Sequence, residues 1–369
     1  MATAEVLDLA KLSAALDGDQ PAGIDLRGDS SPGAPYYAVK DARGAARNAE
    51  RQLMSGGDEA AVTPDWRPVL VTAVKVIAEK SKDLEIASYL IEALVRLHGF
   101  AGLRDGFRLV NELVERFWDG LYPLPDEDGL ETRVAPLTGL NGADTEGTLI
   151  NPIAHVRLTA GQSVGPYAYY HYQQALTVSQ ITDEVAREAK LKQGAVSLPM
   201  FERAVAETPG SFFTNLMDDL TTCLDVFARL DSALQDKCGS NAPPTSNIRS
   251  ALEACRDAVQ HVARDKLAIS APAPADGEAP EVVTAGGTVQ TGESIGALRG
   301  REDALQTLLK VADFFRRTEP HSPLSYALEQ AVRWGRMSLP ELVAELIPEE
   351  APRMGFFKQV GIRPESGGG

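Results

Sequence analysis

The residues best suited to chemistry stand together in FFRRTEPHSP, from Phe314 to Pro323, where Arg316, Arg317, Glu319, His321 and Ser322 share ten positions. A histidine beside a serine could serve as a general base to a nucleophile, with the arginines clamping a phosphate or carboxylate. A nucleophile would have to be Ser322 or Ser325, and neither sits in a Gly-rich elbow or near a second acid at a recognisable spacing. The plainer account is a corner between two helices. A helix running toward Pro320 must stop before it, because the residue preceding proline is pushed out of the helical region. Arg316 and Arg317 then complement the dipole of the last turn, Glu319 can pair with either of them, and Ser322 can cap a helix opened by Pro323. Arginine is enriched at protein interfaces, so a protein contact is a better functional reading here than catalysis.

Nothing else supplies a stronger site. His98, His155, His171 and His261 stand singly, without HxxxH or HExxH companions, and no metal is expected. No GxxxxGK[ST], GxGxxG or GxSxG occurs, so no cofactor or small-molecule substrate is expected. Cys223, Cys238 and Cys255 form no CxxC pair and read as reduced thiols rather than a zinc site or a disulfide framework. Asp83 and Glu85 look like first-turn dipole partners, and the acidic run from Asp126 to Asp128 like a solvated turn. Tyr167, Tyr169, Tyr170 and Tyr172 are either half-buried packing or an interaction face.

The elements that position these residues are helical throughout, giving an all-α fold class. From Thr63 to Pro123 three successive helices are expected. Thr63-Pro64 opens the first, and Trp66, Val69, Leu70, Ala73, Val74 and Ile77 follow the i, i+3, i+4 rule. Ser81 caps the second, which a left-handed Gly99 stops, and the third runs through Leu103, Phe107, Val110, Leu113, Val114, Phe117 and Trp118. The short KSKD link makes the first two an antiparallel hairpin. Gln20 to Pro35 reads as an irregular strap and Ala38 to Met54 as a polar helix. Further helices are expected near Thr132 to Leu140, Tyr167 to Lys192, Pro209 to Lys237 and Ser246 to Lys266, with a segment around Leu149 to Leu158. Three short ones follow in the tail: Arg301 to Phe315, Pro323 to Trp334, and one opened by the Ser338/Glu341 capping box.

At 369 residues the chain exceeds what one core usually serves. The expected division is a helical N-terminal domain over 1–140, a middle helical domain over 141–269, a Pro/Ala/Gly-rich tether over 270–294, and a small C-terminal helical domain over 295–369. With 44% hydrophobic and 24% charged residues the chain is too apolar for wholesale disorder. A net charge of −16 sets it against nucleic acid and anionic lipid, both of which would repel it. MATAEVLDLAKLSAALDGDQ lacks a basic n-region, and ASYLIEALVRLHGFAGL is interrupted by Glu92, Arg96 and His98, so a soluble, cytoplasmic chain is expected.

Four groups of residues carry a resemblance: Asp65-Trp66, Ser81-Lys82-Asp83-Leu84, Gly99 with Gly102-Leu103, and Phe117-Trp118-Asp119-Gly120-Leu121-Tyr122-Pro123. In this order the chain closely resembles the N-terminal signature of the ImpA/TssA family of type VI secretion subunits. CGSNAPPTSNIRSAL, from Cys238, is similar to the family's middle element, although Pro244 and Thr245 replace its usual Ser-Leu. The segment from Ile295 to Ile347 resembles the tail of the shorter members. The resemblance implies a non-enzymatic cytoplasmic component of a contractile injection machine. Its tail would form a homo-oligomeric ring of sixfold-related symmetry, with contacts to baseplate, tube, sheath or membrane-complex proteins. Candidate interface or structural residues are Arg316, Arg317, Glu319, His321 and Trp334 in the tail, with Trp66, Lys82, Asp83, Trp118, Asp119 and Tyr122 in the signature. A monomeric helical adaptor and a hydrolase or phosphate-binding enzyme centred on His321 are the alternatives.

Overall fold

The structure, a computed structural model, describes residues 3–54, 63–127, 129–143, 145–270, 301–318, 323–347 and 349–359. Among the described residues every regular element is helical, and β pairing is limited to isolated bridges. Residues 271–294 of the expected 270–294 tether, and Glu319 to Ser322 of the FFRRTEPHSP corner, lie outside the described residues. The chain forms two compact units, Met1–Asp276 and Gly277–Gly369.

The first unit contains α1 (Leu9–Leu12), α2 (Pro35–Met54), α3 (Arg67–Glu79), α4 (Leu84–Phe117), α5 (Leu130–Asn141) and α6 (Ile150–His155). It continues with α7 (Tyr169–Ser179), α8 (Glu184–Lys192), α9 (Leu198–Glu207), α10 (Gly210–Cys238), α11 (Ser246–Val262) and α12 (Arg264–Ser270). The α3/α4 hairpin forms, but its punctuation differs from expectation. Asp65 Oδ1 accepts from the Arg67 amide at 3.0 Å and Pro68 takes the first turn, so α3 starts beyond Thr63-Pro64. Asp83 rather than Ser81 caps α4, accepting from the amides of Glu85 and Ile86, while the buried Ser81 hydroxyl has no hydrogen-bond partner among the described residues. Gly99 takes the expected left-handed φ of +58°, yet the chain re-enters the helix at once, so the second and third helices are two halves of one kinked element. The stretch Leu84–Gly120 is long and apolar enough to cross a bilayer, but 78% of its 18-residue apolar window is buried inside the protein.

Several expected helices are shorter than their apolar pattern suggests. Tyr167 to Lys192 divides into α7 and α8 because the Asp183 carboxylate caps a new helix, accepting from the Val185 and Ala186 amides. Ser246 to Lys266 breaks at Ala263, between α11 and α12. The unforeseen α9 is opened by Ser197, with Pro199 in its first turn. A single cluster of buried apolar side chains runs from Leu7 to Ala263, through both residues 1–140 and residues 141–269. Its centre is the packing of α4 on α10, where the Phe107 and Phe227 rings lie 4.6 Å apart. Burying that much side chain on one partner binds the two segments together.

The second unit contains α13 (Arg301–Thr318), α14 (Leu324–Arg336), α15 (Leu339–Leu346) and α16 (Glu350–Gln359). The α13/α14 hairpin buries Leu305, Ala312 and Val332, and Val343 and Phe357 add to the interior. The expected capping box opens α15, with the Ser338 amide donating to Glu341 Oε2 at 2.8 Å. Helix α16 is an addition to the three expected.

Candidate functional site

The signature residues form a knot that ties the strap to the hairpin. The Lys82 amide donates to Ala22 O at 2.8 Å, the Tyr122 amide to Lys82 O at 3.0 Å and the Leu84 amide to Tyr122 O at 2.7 Å. Gly23 crosses so closely that a Cβ there would stand 2.1 Å from Lys80 O. Within this crossing the Lys82 side chain is fully buried, its Nζ donating to Leu12 O at 2.8 Å and Ile77 O at 2.9 Å beside the Phe117 ring. Burial, with a smaller contribution from Arg116, pushes its pKa down to about 8.

Asp83, also fully buried, caps α4 and receives the Arg27 guanidinium at 2.7 and 3.3 Å. Arg27 also donates to Glu85 at 2.8 Å, which accepts further from Tyr36 at 3.0 Å and Tyr89 at 2.5 Å. Burial alone would raise Glu85, but the hydrogen bonds from Tyr89, Arg27 and Tyr36 and the Arg27 charge hold it below the usual carboxylate range. Burial and the Glu85 charge push Tyr36 up to about 12.

Trp66 is buried, donates from Nε1 to Glu50 at 2.7 Å, and carries the Arg96 guanidinium on its ring at 3.9 Å. Arg96 in turn holds Glu50 at 2.6 and 3.0 Å, latching α2 to α4. Trp118 is half-buried under Arg133, whose Nη1 donates to Trp118 O at 2.7 Å, and Asp119 beside it is exposed. These groups hold one another, which is the arrangement of a packed junction.

In the second unit Arg316 pairs with Glu329 of α14, and Arg317 with Asp313 of its own helix at 2.7 Å. The half-buried Trp334 donates to Glu345 Oε1 at 3.0 Å, fastening α14 to α15. Glu319 and His321 lie outside the described residues. Of the tyrosines, Tyr167 and Tyr172 pack on Phe201, whereas Tyr170 is exposed and stacks on His155 at 5.0 Å. All three cysteine thiols are buried and unpaired; burial pushes Cys255 up to about 12.

Two features escaped sequence reasoning. The first is the buried Arg104, which donates to Asp105 at 2.8 Å, Asp219 at 3.1 Å and the Thr3 carbonyl at 2.8 Å, joining α4, α10 and the N-terminal segment. The second is an open groove of about 860 Å³ at the α4 kink, lined by residues of α2, α4, α6 and α10 including Arg47, Leu53, Leu97, Gly99, Arg157 and Phe212. Among the described residues no cluster of three or more His, Cys, Asp or Glu side chains could hold a metal ion.

Residues 13–142 match the family model described as ImpA, N-terminal, type VI secretion system. Over 351 residues the chain is 27% identical to the type VI secretion system component TssA1 of Pseudomonas aeruginosa, covering 93% of this chain and 96% of that protein. Its fold matches the solved N-terminal domain, including the ImpA_N region, of the TssA component from Burkholderia cenocepacia. That match has a TM-score of 0.60 and 25% identity, over 70% of this chain and 95% of the other. Fold, signature knot and matches together define a class, the all-helical components of type VI secretion systems. Residues 13–142 carry the ImpA N-terminal region of type VI secretion proteins, and over most of its length the chain is similar to their TssA components.

Proposed function

We propose that this chain is a non-enzymatic, cytoplasmic assembly subunit that self-associates through its C-terminal unit into a ring of sixfold-related symmetry. Its helical first unit then engages baseplate, tube, sheath or membrane-complex proteins. On this reading residues 1–140 and 141–269 are successive modules of the engaging part, 270–294 is the tether and 295–369 forms the ring. Arg316, Arg317 and Trp334 would brace the ring-forming unit for its contacts, while Trp66, Lys82, Asp83, Trp118, Asp119 and Tyr122 brace the module that reaches other components. Neither nucleic acid nor a small-molecule substrate has a role.

The observation that carries the proposal is the apolar surface of the second unit. Tyr326 is 66% exposed, and Leu339, Leu346 and Met354 each stand about half exposed, beside an interior that among the described residues is made from few buried apolar side chains. A small unit with a thin core is commonly completed by copies of itself. Relatives named as type VI secretion components support the machine to which it is assigned.

Light scattering and negative-stain imaging of the full chain test the reading. A closed multimer is expected, and Leu339→Glu with Leu346→Glu should return it to the 39.5 kDa single chain. A wild-type chain that remains at that mass across concentrations removes the proposal.

A further inference from the structure

Two of the cations in the groove at the α4 kink make no ion pair among the described residues. Arg47 on α2 is half-buried and Arg157, just beyond α6, is exposed; neither makes an ion pair or side-chain hydrogen bond among the described residues. A shortage of acids does not explain this in a chain of charge −16. On the same helix Arg43 binds Glu92 at 2.6 and 2.8 Å, and across the groove Arg96 binds Glu50. The wall carboxylates are mostly committed, Glu50 to Arg96 and Trp66, and Asp219 to Arg104 and Thr3. Glu146 is the exposed exception. Burial and then the neighbouring Arg43, Arg96 and Arg51 charges lower the Arg47 pKa, against the attraction of Glu92. A half-buried guanidinium among other cations is stabilised by any carboxylate that reaches it.

The rest of the wall is apolar. Leu53 is 50% exposed, and Leu97 and Phe212 are partly exposed beside it. A free inorganic anion has no use for such a wall, whereas a peptide segment with carboxylates between apolar side chains uses both halves.

We propose that this groove docks an acidic, leucine-type segment of a partner protein, with the partner's carboxylates on Arg47 and Arg157 and its apolar side chains against Leu53, Leu97 and Phe212. The inference rests on the assembly reading for the existence of such partners, but not on the ring.

The test titrates the full-length chain calorimetrically with a synthetic peptide in which glutamates alternate with leucines. The same peptide with lysine for glutamate, and tripolyphosphate, serve as comparisons. Saturable binding of the acidic peptide is expected, weakened about tenfold by Arg47→Ala with Arg157→Ala, which remove two charge pairs of this exposure. Leu53→Glu, at an exposed position, should weaken it by repulsion and decides the matter if the double variant misfolds. Absent binding, an affinity indifferent to these substitutions, or tripolyphosphate binding as tightly as the peptide overturns the proposal. A multimer mass that falls with Arg47→Ala would assign the groove to a second copy of the chain and overturn it too. Measuring mass in the same samples separates the two readings: peptide binding by a single-chain protein sinks only the ring, and a ring without peptide binding sinks only the groove.

Discussion

Among the described residues Lys82 has no carboxylate partner, although it is among the most deeply buried side chains in the protein. Its two carbonyl acceptors and the Phe117 ring stabilise the ammonium only in part, so burial holds its pKa near 8 against 10.5 for the free side chain. Between those values the unfolded chain holds a proton that the folded chain has released. Stability contributed at this site therefore rises with pH from about 8 to about 10.5. A gap of this size corresponds to at most about 3 kcal/mol. Lys82→Met preserves the volume and removes the titration. Denaturant unfolding of both proteins between about pH 7.5 and pH 10 should show the difference shifting toward wild type as pH rises. A pH-independent difference would mean that Lys82 titrates as it does in water. Comparing the pair cancels the buried thiols and tyrosines, whose raised values act in the opposite direction at the alkaline end. Lys82 and Asp83 were readable in the sequence as members of a motif, but not as core. Lysine and aspartate are ordinarily surface residues, and only the crossing of the strap, the hairpin turn and the segment at Tyr122 removes them from water.

Helix α4 shows what one glycine does to an element. At Gly99 φ is +58° and ψ −139°, a combination costly for any residue with a Cβ, and an added Cβ would meet Val156 Cγ1 at 3.0 Å. Gly99→Ala is expected to cost about 1–3 kcal/mol in denaturant unfolding. An unchanged midpoint would show that the kink survives without glycine. The left-handed residue was legible from the sequence; that the helix resumes immediately was not, because continuation is decided by α10 packing against the following turns. Local signals served best where a strong apolar stripe coincided with a marked helix end, as at Gly239 after α10 and at the Ser338/Glu341 box of α15. They failed at α7/α8, where apolar spacing carries through Ile181 and conceals the new cap at Asp183. The groove was beyond reach, since Arg47, Gly99 and Arg157 come from separate elements and meet only through the packing of α2, α4 and α6.

At the scale of the whole molecule, the two units differ in how their stability should arise. The first has a single apolar core running from Leu7 to Ala263, so it should unfold as one cooperative body at a temperature indifferent to protein concentration. Among its described residues the second buries the apolar side chains of Leu305, Ala312, Val332, Val343 and Phe357 and leaves Tyr326, Leu339, Leu346 and Met354 in water. A core of this size rarely supplies more than about 3–5 kcal/mol alone, and association adds to it by mass action. Calorimetry of the full chain is therefore expected to give two transitions, with only that of the second unit moving upward as concentration rises. Leu339→Glu with Leu346→Glu should abolish the movement and leave the first unit's transition in place. If the second transition ignores concentration in the wild type, the exposed apolar residues are not covered by copies of the chain. The thin core would then have to be stabilised within a single molecule.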